Sequence, residues 1–139
     1  MRADNRAWAL PRPNRRDCLE KVMAWSAKWS ELPEVEVLPN NFRRSAAGLK
    51  SSVNKIRLVH PSETPLHKHD EEEQAVFMLS GEMDVTIDAD TIRLAANEVC
   101  IIPAGITHCF KSISGEASFL ETFSPGRIQN LIGFLGKIF

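Results

Sequence analysis

After residue 39 the sequence consists of short apolar segments separated by turn residues, and this pattern limits the fold more than any other feature. Residues 82–88 alternate between polar and apolar side chains, which places Met83, Val85 and Ile87 on one face of a strand. Residues 117–123 alternate in the same way. Gly, Pro, Asn or Asp interrupts such segments about every eight to twelve residues, a spacing typical of β-sandwiches and barrels. The sequence therefore predicts an all-β domain over this region.

The first 40 residues have a different pattern. Asp17 begins a capping-box sequence, apolar residues then recur at helical spacing up to position 29, and Pro33 ends the run. These signals predict an N-terminal helix. We therefore expect an N-terminal arm and helix over residues 1–40, packed on a single barrel domain over residues 41–139.

Composition and charge exclude several classes of function. With 139 residues the chain is long enough for one domain with a hydrophobic core. Its 17 basic and 18 acidic residues leave a formal net charge of −1, which offers no overall attraction to nucleic acid or to an anionic membrane. No apolar run approaches the roughly 20 residues of a membrane-spanning helix. With three cysteines, no CxxC pair and no secretory signal, we expect a cytoplasmic protein without nucleic-acid or membrane partners.

Three of the four histidines lie where they could share one metal ion. His67 and His69 form an HxH pair, and side chains two residues apart on a strand point to the same side. Two imidazoles in this arrangement can both bind one ion at about 2.0–2.1 Å, and His108 could add a third from another strand. Imidazole ligands with an amide or carboxylate oxygen suit Zn, Fe, Ni, Cu or Mn. The alternative is that the HxH pair is simply exposed in a charged loop.

The two segments that carry these histidines resemble the two sequence motifs of the cupin superfamily. The first motif is HxH, three or four residues, a carboxylate, six residues and Gly, and residues 67–81 read HKHDEEEQAVFMLSG. The second is Gly, five residues and PxGxxH, and residues 97–108 read NEVCIIPAGITH. Asn97 stands in place of the first glycine, and Asn tolerates left-handed backbone geometry. The resemblance implies the cupin jelly-roll barrel, a double-stranded β-helix, with one divalent transition metal (Zn, Fe, Ni or Mn).

The fourth ligand position departs from the family pattern, since Gln74 stands where many cupins have Glu. Counting back from Gly81 favours Gln74, whereas counting forward from His69 leaves Glu73 and Gln74 equally placed. Neighbouring residues on a strand face opposite ways, so only one of the two can point into the barrel. Glu73 therefore stays open as the alternative. The resemblance implies a metal site formed by His67, His69, Gln74 and His108.

Residues 121–127, which read ETFSPGR, resemble the DxFSPPR stretch of the small cupins that linearise unsaturated uronates in pectin and alginate breakdown. The resemblance implies that Glu121, Phe123 and Arg127 serve catalysis, with Glu121 in place of the family's Asp. A carboxyl group beside phenylalanines is a candidate general acid or base. Arg127 could bind a substrate carboxylate with two parallel hydrogen bonds. The alternatives are a rim residue paired with a lysine for Glu121 and a turn-stabilising role for Arg127.

Three functions are compatible with these residues. The first is a metal-dependent enzyme that transfers protons, as an isomerase or lyase, on a small oxygenated or sugar-derived acid. The second is a non-catalytic cupin that binds a metal or ligand and signals, and the third is a metal-dependent dioxygenase. A neutral Gln ligand disfavours oxidative iron chemistry and therefore the third function. Resemblance to small cupins and the apolar C-terminal sequence LIGFLGKIF also predict a homodimer with a small-molecule substrate.

Overall fold

Nine strands and one 3₁₀ turn form the described part of the chain, residues 26–48 and 50–127 of a computed structural model. The strands in chain order are β1 (Val35–Leu38), β2 (Asn41–Ala47), β3 (Ser52–Val59), β4 (Glu73–Ser80), β5 (Glu82–Ile87), β6 (Asp90–Ala95), β7 (Val99–Ile102), β8 (His108–Ser112) and β9 (Glu116–Ser124). They form a six-stranded sheet in the order β1-β2-β3-β9-β4-β7 and a three-stranded sheet in the order β6-β5-β8. All pairs are antiparallel. The expected all-β jelly-roll fold is confirmed.

The hydrophobic core lies between the two sheets. Alternate residues of each strand point inward, so β3 contributes Ile56 and Leu58 to the core and β9 contributes Phe119. The alternation predicted for residues 82–88 is confirmed, since Met83 and Val85 on β5 are fully buried. Each such side chain gains about 1.5–3 kcal/mol by leaving water, and this burial holds the two sheets together.

Towards one end of β3, β4 and β9, polar side chains take the place of apolar ones among the inward-facing residues. Asn54 on β3 points inward in the same row as the core residues and pairs in register with Glu121 on β9. Gln74 on β4 pairs with Phe123 on β9. Asn54, Glu121 and Gln74 are all buried. Because buried polar side chains cost free energy unless they are bonded, these side chains need partners within this region.

Left-handed residues form the tight turns between strands. Gly81 joins β4 to β5 with a φ of 72°, and a Cβ at this position would lie 2.4 Å from the carbonyl oxygen of Glu116. Glycine is therefore required there by both backbone geometry and space. Asn97 before β7 has a φ of 69°, so the left-handed turn predicted at this Asn is confirmed.

The predicted N-terminal helix is not supported by the described residues. Residues 26–28 are not helical, and Trp29–Glu31 forms a single 3₁₀ turn. The turn ends at Leu32, which is extended because a following proline disfavours helical geometry in the residue before it. The remainder of the predicted helix, residues 17–25, lies outside the described residues.

The sheet begins earlier in the chain than the predicted start of the barrel at residue 41, because β1 pairs with β2. Glu34, immediately before β1, forms ion pairs with Arg44 on β2 (3.3 Å) and Arg57 on β3 (2.8 Å). These pairs attach the segment before β1 to the sheet. Residues 1–25 of the predicted arm and residues 128–139, which include the apolar C-terminus, lie outside the described ranges. The division into an arm and a barrel and the dimer role of the C-terminus stay predictions. Within those ranges, no helix has the length and apolar character needed to cross a membrane.

Candidate metal centre

Backbone hydrogen bonds bring the two histidine segments together. The N–H of His67 donates to the carbonyl of His108 (3.0 Å), and the N–H of His108 donates to the carbonyl of His67 (2.8 Å). The N–H of Gly105 donates to the carbonyl of His69 (2.7 Å), and Gly105 has a left-handed φ of 82°. The main chain therefore fixes the relative positions of the three histidines.

The three imidazoles converge. Their ligand nitrogens all lie within 4.8 Å of one another. The ring centroids of His67 and His69 are 5.0 Å apart, those of His67 and His108 are 4.3 Å apart, and those of His69 and His108 are 5.2 Å apart. Rings at these separations can share one ion at about 2.0–2.1 Å after small side-chain rotations. The predicted convergence of the HxH pair with His108 is therefore present.

Two of the imidazoles are already oriented to bind a metal through Nε2. His67 Nδ1 lies 2.8 Å from the carbonyl oxygen of Pro65, and His108 Nδ1 lies 2.8 Å from that of Ile106. A carbonyl oxygen only accepts, so both Nδ1 atoms carry a proton in the neutral ring and both Nε2 atoms have a free lone pair. His108 Nε2 is buried, and no described residue hydrogen-bonds to it.

Arg127 determines which nitrogen of the third imidazole, that of His69, carries the proton. Its guanidinium nitrogen lies 2.7 Å from His69 Nδ1 and 3.3 Å from a carboxylate oxygen of Glu72. Because a guanidinium only donates, His69 Nδ1 must accept, and the neutral ring then carries its proton on Nε2. A protonated Nε2 cannot bind a metal, so metal binding by His69 requires Arg127 to release Nδ1. Glu72, which already contacts the same guanidinium nitrogen, can keep it after this release.

Burial favours the neutral form of two of the histidine rings, those of His69 and His108. Desolvation lowers the pKa of His69 to about 4, and the positive charge of Arg127 acts in the same direction. Desolvation also lowers the pKa of His108, although the hydrogen bond to the Ile106 carbonyl opposes the shift. Neutral imidazole is the form that binds metals, so protons compete weakly for these two rings near neutral pH.

Gln74, and not Glu73, points into the barrel. Gln74 is 1% exposed, whereas Glu73 lies on the exposed side of β4. The Gln74 Nε2 atom donates to Glu121 Oε2 (2.7 Å), and its Oε1 atom is buried without a partner in residues 26–48 and 50–127. The unused oxygen of Gln74 and the unused nitrogen of His108 fit a divalent transition metal, and His69 completes the set once Arg127 releases its Nδ1.

The three residues expected to serve catalysis all lie beside the candidate ligands. The Phe123 ring packs edge-on against His69 with centroids 5.1 Å apart, and the Arg127 guanidinium carbon lies 5.4 Å from the Phe123 centroid. Glu121 is 6% exposed and is bonded to amide side chains rather than to a lysine at the rim. Catalytic roles for the three residues stay predictions.

Sequence reasoning did not identify Ser45 and Asn54, which extend the polar network away from the site. Ser45 Oγ donates to Asn54 Oδ1 (2.7 Å), and Asn54 Nδ2 donates to Glu121 Oε1 (3.0 Å). The available signal is the alternation of β3, in which Asn54 is a polar residue on the otherwise apolar row of Ile56 and Leu58. Such a position requires a buried partner.

Arg43 and Glu72 were also not identified from the sequence. Arg43 lies on β2, two residues before the buried Ser45, and therefore on the inward side of the strand. Desolvation lowers the pKa of Arg43, the negative charge of Glu121 raises it, and the positive charge of Arg127 lowers it. Arg43 is thus within electrostatic range of Glu121 and Arg127, which contact the candidate ligands Gln74 and His69.

Comparisons with known proteins agree with this geometry. A family model described as "Cupin domain" matches residues 56–123. Quercetin 2,3-dioxygenase from Bacillus subtilis is 25% identical over 73 residues, which cover 52% of this chain and 22% of that protein. An uncharacterised protein from Streptomyces coelicolor is 32% identical over 62 residues, which cover 45% of this chain and 59% of that protein. The chain therefore spans less than two thirds of either curated relative.

Among solved structures, an RmlC-like cupin from Shewanella frigidimarina superimposes with a TM-score of 0.68 at 19% sequence identity. The superposition covers 73% of this chain and 91% of that one. At this identity the likeness concerns the fold.

Proposed function

Because this chain belongs to the cupin superfamily, we propose that it is a metal-dependent enzyme that transfers protons on a small oxygenated or sugar-derived acid. One observation carries the proposal: three imidazoles converge where His69 Nε2, His108 Nε2 and Gln74 Oε1 are buried, with no hydrogen-bond partner in the described part of the chain. Leaving such atoms unpaired costs about 1–3 kcal/mol each. One bound cation would pair with Gln74 Oε1 and His108 Nε2 directly, and with His69 Nε2 once Arg127 releases Nδ1 and the ring proton moves there. The ion would be held by His67, His69, Gln74 and His108.

The charge of the proposed site favours an anionic substrate. Three neutral imidazoles and a neutral amide leave both charges of a divalent ion uncompensated by its ligands. Arg43 and Arg127 each add a positive charge to the surroundings of the site, and the carboxylates of Glu121 and Glu72 add two negative charges. The sum is positive once an ion is bound, which attracts the carboxylate or enolate oxygen of a small acid.

In the proposed chemistry, the metal and the neighbouring side chains have separate roles. When bound, the metal would polarise a hydroxyl or carbonyl oxygen and stabilise negative charge as an enol becomes a ketone. Arg127, once released from His69, would bind the substrate carboxylate through paired hydrogen bonds. Phe123, which packs against both His69 and Arg127, would form an apolar wall of the site that excludes water. Resemblance makes Glu121 the candidate for proton transfer.

The test of this function is an assay of the full chain, stripped of metal and reloaded separately with Zn²⁺, Fe²⁺, Ni²⁺ or Mn²⁺. With an unsaturated uronate as substrate, we expect loss of the ultraviolet absorbance of the conjugated double bond only in metal-loaded samples. Chelation should abolish turnover, and readdition of the metal should restore it. Absence of turnover with a panel of unsaturated and keto acids, in protein shown to hold metal, would favour the non-catalytic binding or sensing module.

A metal-dependent dioxygenase is the second candidate, favoured by the match to quercetin 2,3-dioxygenase. An oxygen electrode separates the two reactions, because proton transfer consumes no O₂. We expect no oxygen uptake with the substrates that are turned over. Stoichiometric uptake, specific to one redox-active metal, would assign the dioxygenase function instead.

The homodimer and the cytoplasmic location stay predictions. Support for a second copy comes from the outer face of β4 and β7, where Phe77, Leu79, Val99 and Ile101 are 41–57% exposed. Phe77 and Val99 are direct neighbours in register, and β7 ends the six-stranded sheet as far as the chain is described. Exposed apolar side chains in adjacent rows are typical of association surfaces. Sedimentation velocity measures the oligomeric state directly.

A further inference from the structure

Four buried polar side chains on neighbouring strands form a continuous hydrogen-bonded chain. Ser45 Oγ on β2 donates to Asn54 Oδ1 on β3 (2.7 Å), and Asn54 Nδ2 donates to Glu121 Oε1 on β9 (3.0 Å). Gln74 Nε2 on β4 donates to the second carboxylate oxygen, Glu121 Oε2 (2.7 Å). The four residues are between 1% and 6% exposed. The chain thus runs across the sheet from Ser45 to the candidate ligand Gln74.

The direction of each hydrogen bond follows from the chemistry of the groups. An ionised carboxylate only accepts, so both amides that face Glu121 must present their NH₂ groups to it. An amide has its donor and acceptor on opposite sides. When Gln74 donates to Glu121, its oxygen is therefore turned away from Glu121, to the position where no described residue bonds to it.

We propose that Glu121 is a positioning residue that turns the Gln74 amide so that its oxygen, and not its nitrogen, faces the metal. This inference rests on the proposed function, because it requires that Gln74 is a ligand. An inverted amide would direct two N–H groups at a cation and could not bind it. Ser45 supports the arrangement from the far end, because its hydroxyl donates to Asn54 Oδ1 and so holds the Asn54 NH₂ towards Glu121.

This role differs from the proton-transfer role that resemblance implies for Glu121. Both of its carboxylate oxygens already accept short hydrogen bonds from amides. Partners that orient a metal ligand commonly change metal affinity 10–100-fold when they are removed. A residue that only transfers protons would instead change turnover and leave metal affinity unaltered. Metal affinity therefore distinguishes the two roles without any assay of activity.

The first test is Glu121→Gln, measured by titration of the metal-free full chain with Zn²⁺ against a chromophoric chelator. The new amide offers one acceptor to two donors, so one neighbouring amide must turn. Because Ser45 holds Asn54, we expect Gln74 to turn and the affinity for Zn²⁺ to fall at least about tenfold. Thermal unfolding of the metal-free proteins reports any separate effect on stability.

The second test adds Asn54→Asp to Glu121→Gln. The carboxylate introduced at position 54 would accept from Ser45 and from the NH₂ of the amide introduced at position 121, whose oxygen would again accept from Gln74. All donors and acceptors of the chain are satisfied, so this double variant should fold even if Glu121→Gln alone does not. We expect its affinity for Zn²⁺ to lie within about threefold of the wild-type value. Asn54→Asp alone, in which Glu121 still accepts from Gln74, is the matched control for the effect of a carboxylate at position 54 by itself.

Each outcome of these tests either supports or overturns the proposal. Weakened binding in Glu121→Gln with recovery in the double variant supports orientation of Gln74. Wild-type affinity in Glu121→Gln overturns it, and if turnover is lost at the same time Glu121 is a proton-transfer residue. A double variant that stays ten times weaker than the wild type also overturns it, because the carboxylate at position 121 itself, and not the orientation of Gln74, then matters. If the wild-type chain itself fails to bind Zn²⁺, the proposed metal site is wrong, and the inference fails with it.

Discussion

The variant His108→Ala is expected to lower the affinity for Zn²⁺ by at least about 100-fold. Loss of a group that merely orients a ligand costs up to about 100-fold, so loss of one of three converging imidazoles should cost at least as much. Elemental analysis after dialysis gives the metal content, and chelator competition gives the dissociation constant. His60→Ala is the matched control, because His60 contacts Ser112 and is not a member of the histidine cluster.

Thermal unfolding provides an independent readout of the same variant. A ligand present at 100 times its dissociation constant stabilises a protein by about 2.7 kcal/mol. Wild type and His60→Ala should therefore unfold at a higher temperature with Zn²⁺ than without it, and His108→Ala should show almost no increase. A His108→Ala protein that keeps both the affinity and the increase in Tm would show that the ion binds elsewhere.

The variant Gly81→Ala is expected to lower the free energy of unfolding by about 3 kcal/mol or more. The left-handed conformation alone costs a residue with a side chain about 1–2 kcal/mol. In addition, the new Cβ would lie 2.4 Å from the Glu116 carbonyl oxygen and 2.9 Å from the Ala117 Cα. Both are backbone atoms of β9, the strand that carries Glu121, so the contact can be relieved only by displacing that strand.

Gly115→Ala is the control that separates the two costs. Gly115 also has a positive φ of 58°, but a Cβ there would meet no described atom within 4 Å. The Gly115→Ala variant should therefore lose only the free energy that the left-handed backbone costs a residue with a side chain, about 1–2 kcal/mol. Urea unfolding of the metal-free proteins measures both values. Equal losses for the two variants would mean that the close approach of Gly81 to β9 does not constrain the fold.

The sequence was sufficient to predict the parts of the structure that depend on local periodicity. Strand alternation placed Met83 and Val85 in the core, and the structure confirms both. The spacing of Gln74 from Gly81 favoured Gln74 as the inward residue, and Gln74 is indeed buried. The left-handed turn at Asn97 followed from the conformational tolerance of asparagine. In each case the information lies within a few residues of the position concerned.

The partners of the polar side chains could not be predicted in the same way. Alternation indicates that Glu121 faces inward, but not that its neighbours there are amides from β3 and β4, because strand order is a property of the whole sheet. The contact of Arg127 with His69 joins residues 58 positions apart and likewise leaves no local pattern. The predicted N-terminal helix is not supported over residues 26–32, where the chain forms a single 3₁₀ turn, and only the end of that turn before Pro33 follows from a local rule.

The most direct measurement of the central claim is anomalous diffraction from crystals of the full chain loaded with Zn²⁺. We predict one anomalous peak in the barrel, about 2.0–2.2 Å from each of four ligand atoms. These atoms are the Nε2 atoms of His67, His69 and His108 and Oε1 of Gln74. A peak bound only by surface side chains, or an ion that leaves His108 or Gln74 without contact, would contradict the claim that these four residues hold a single metal.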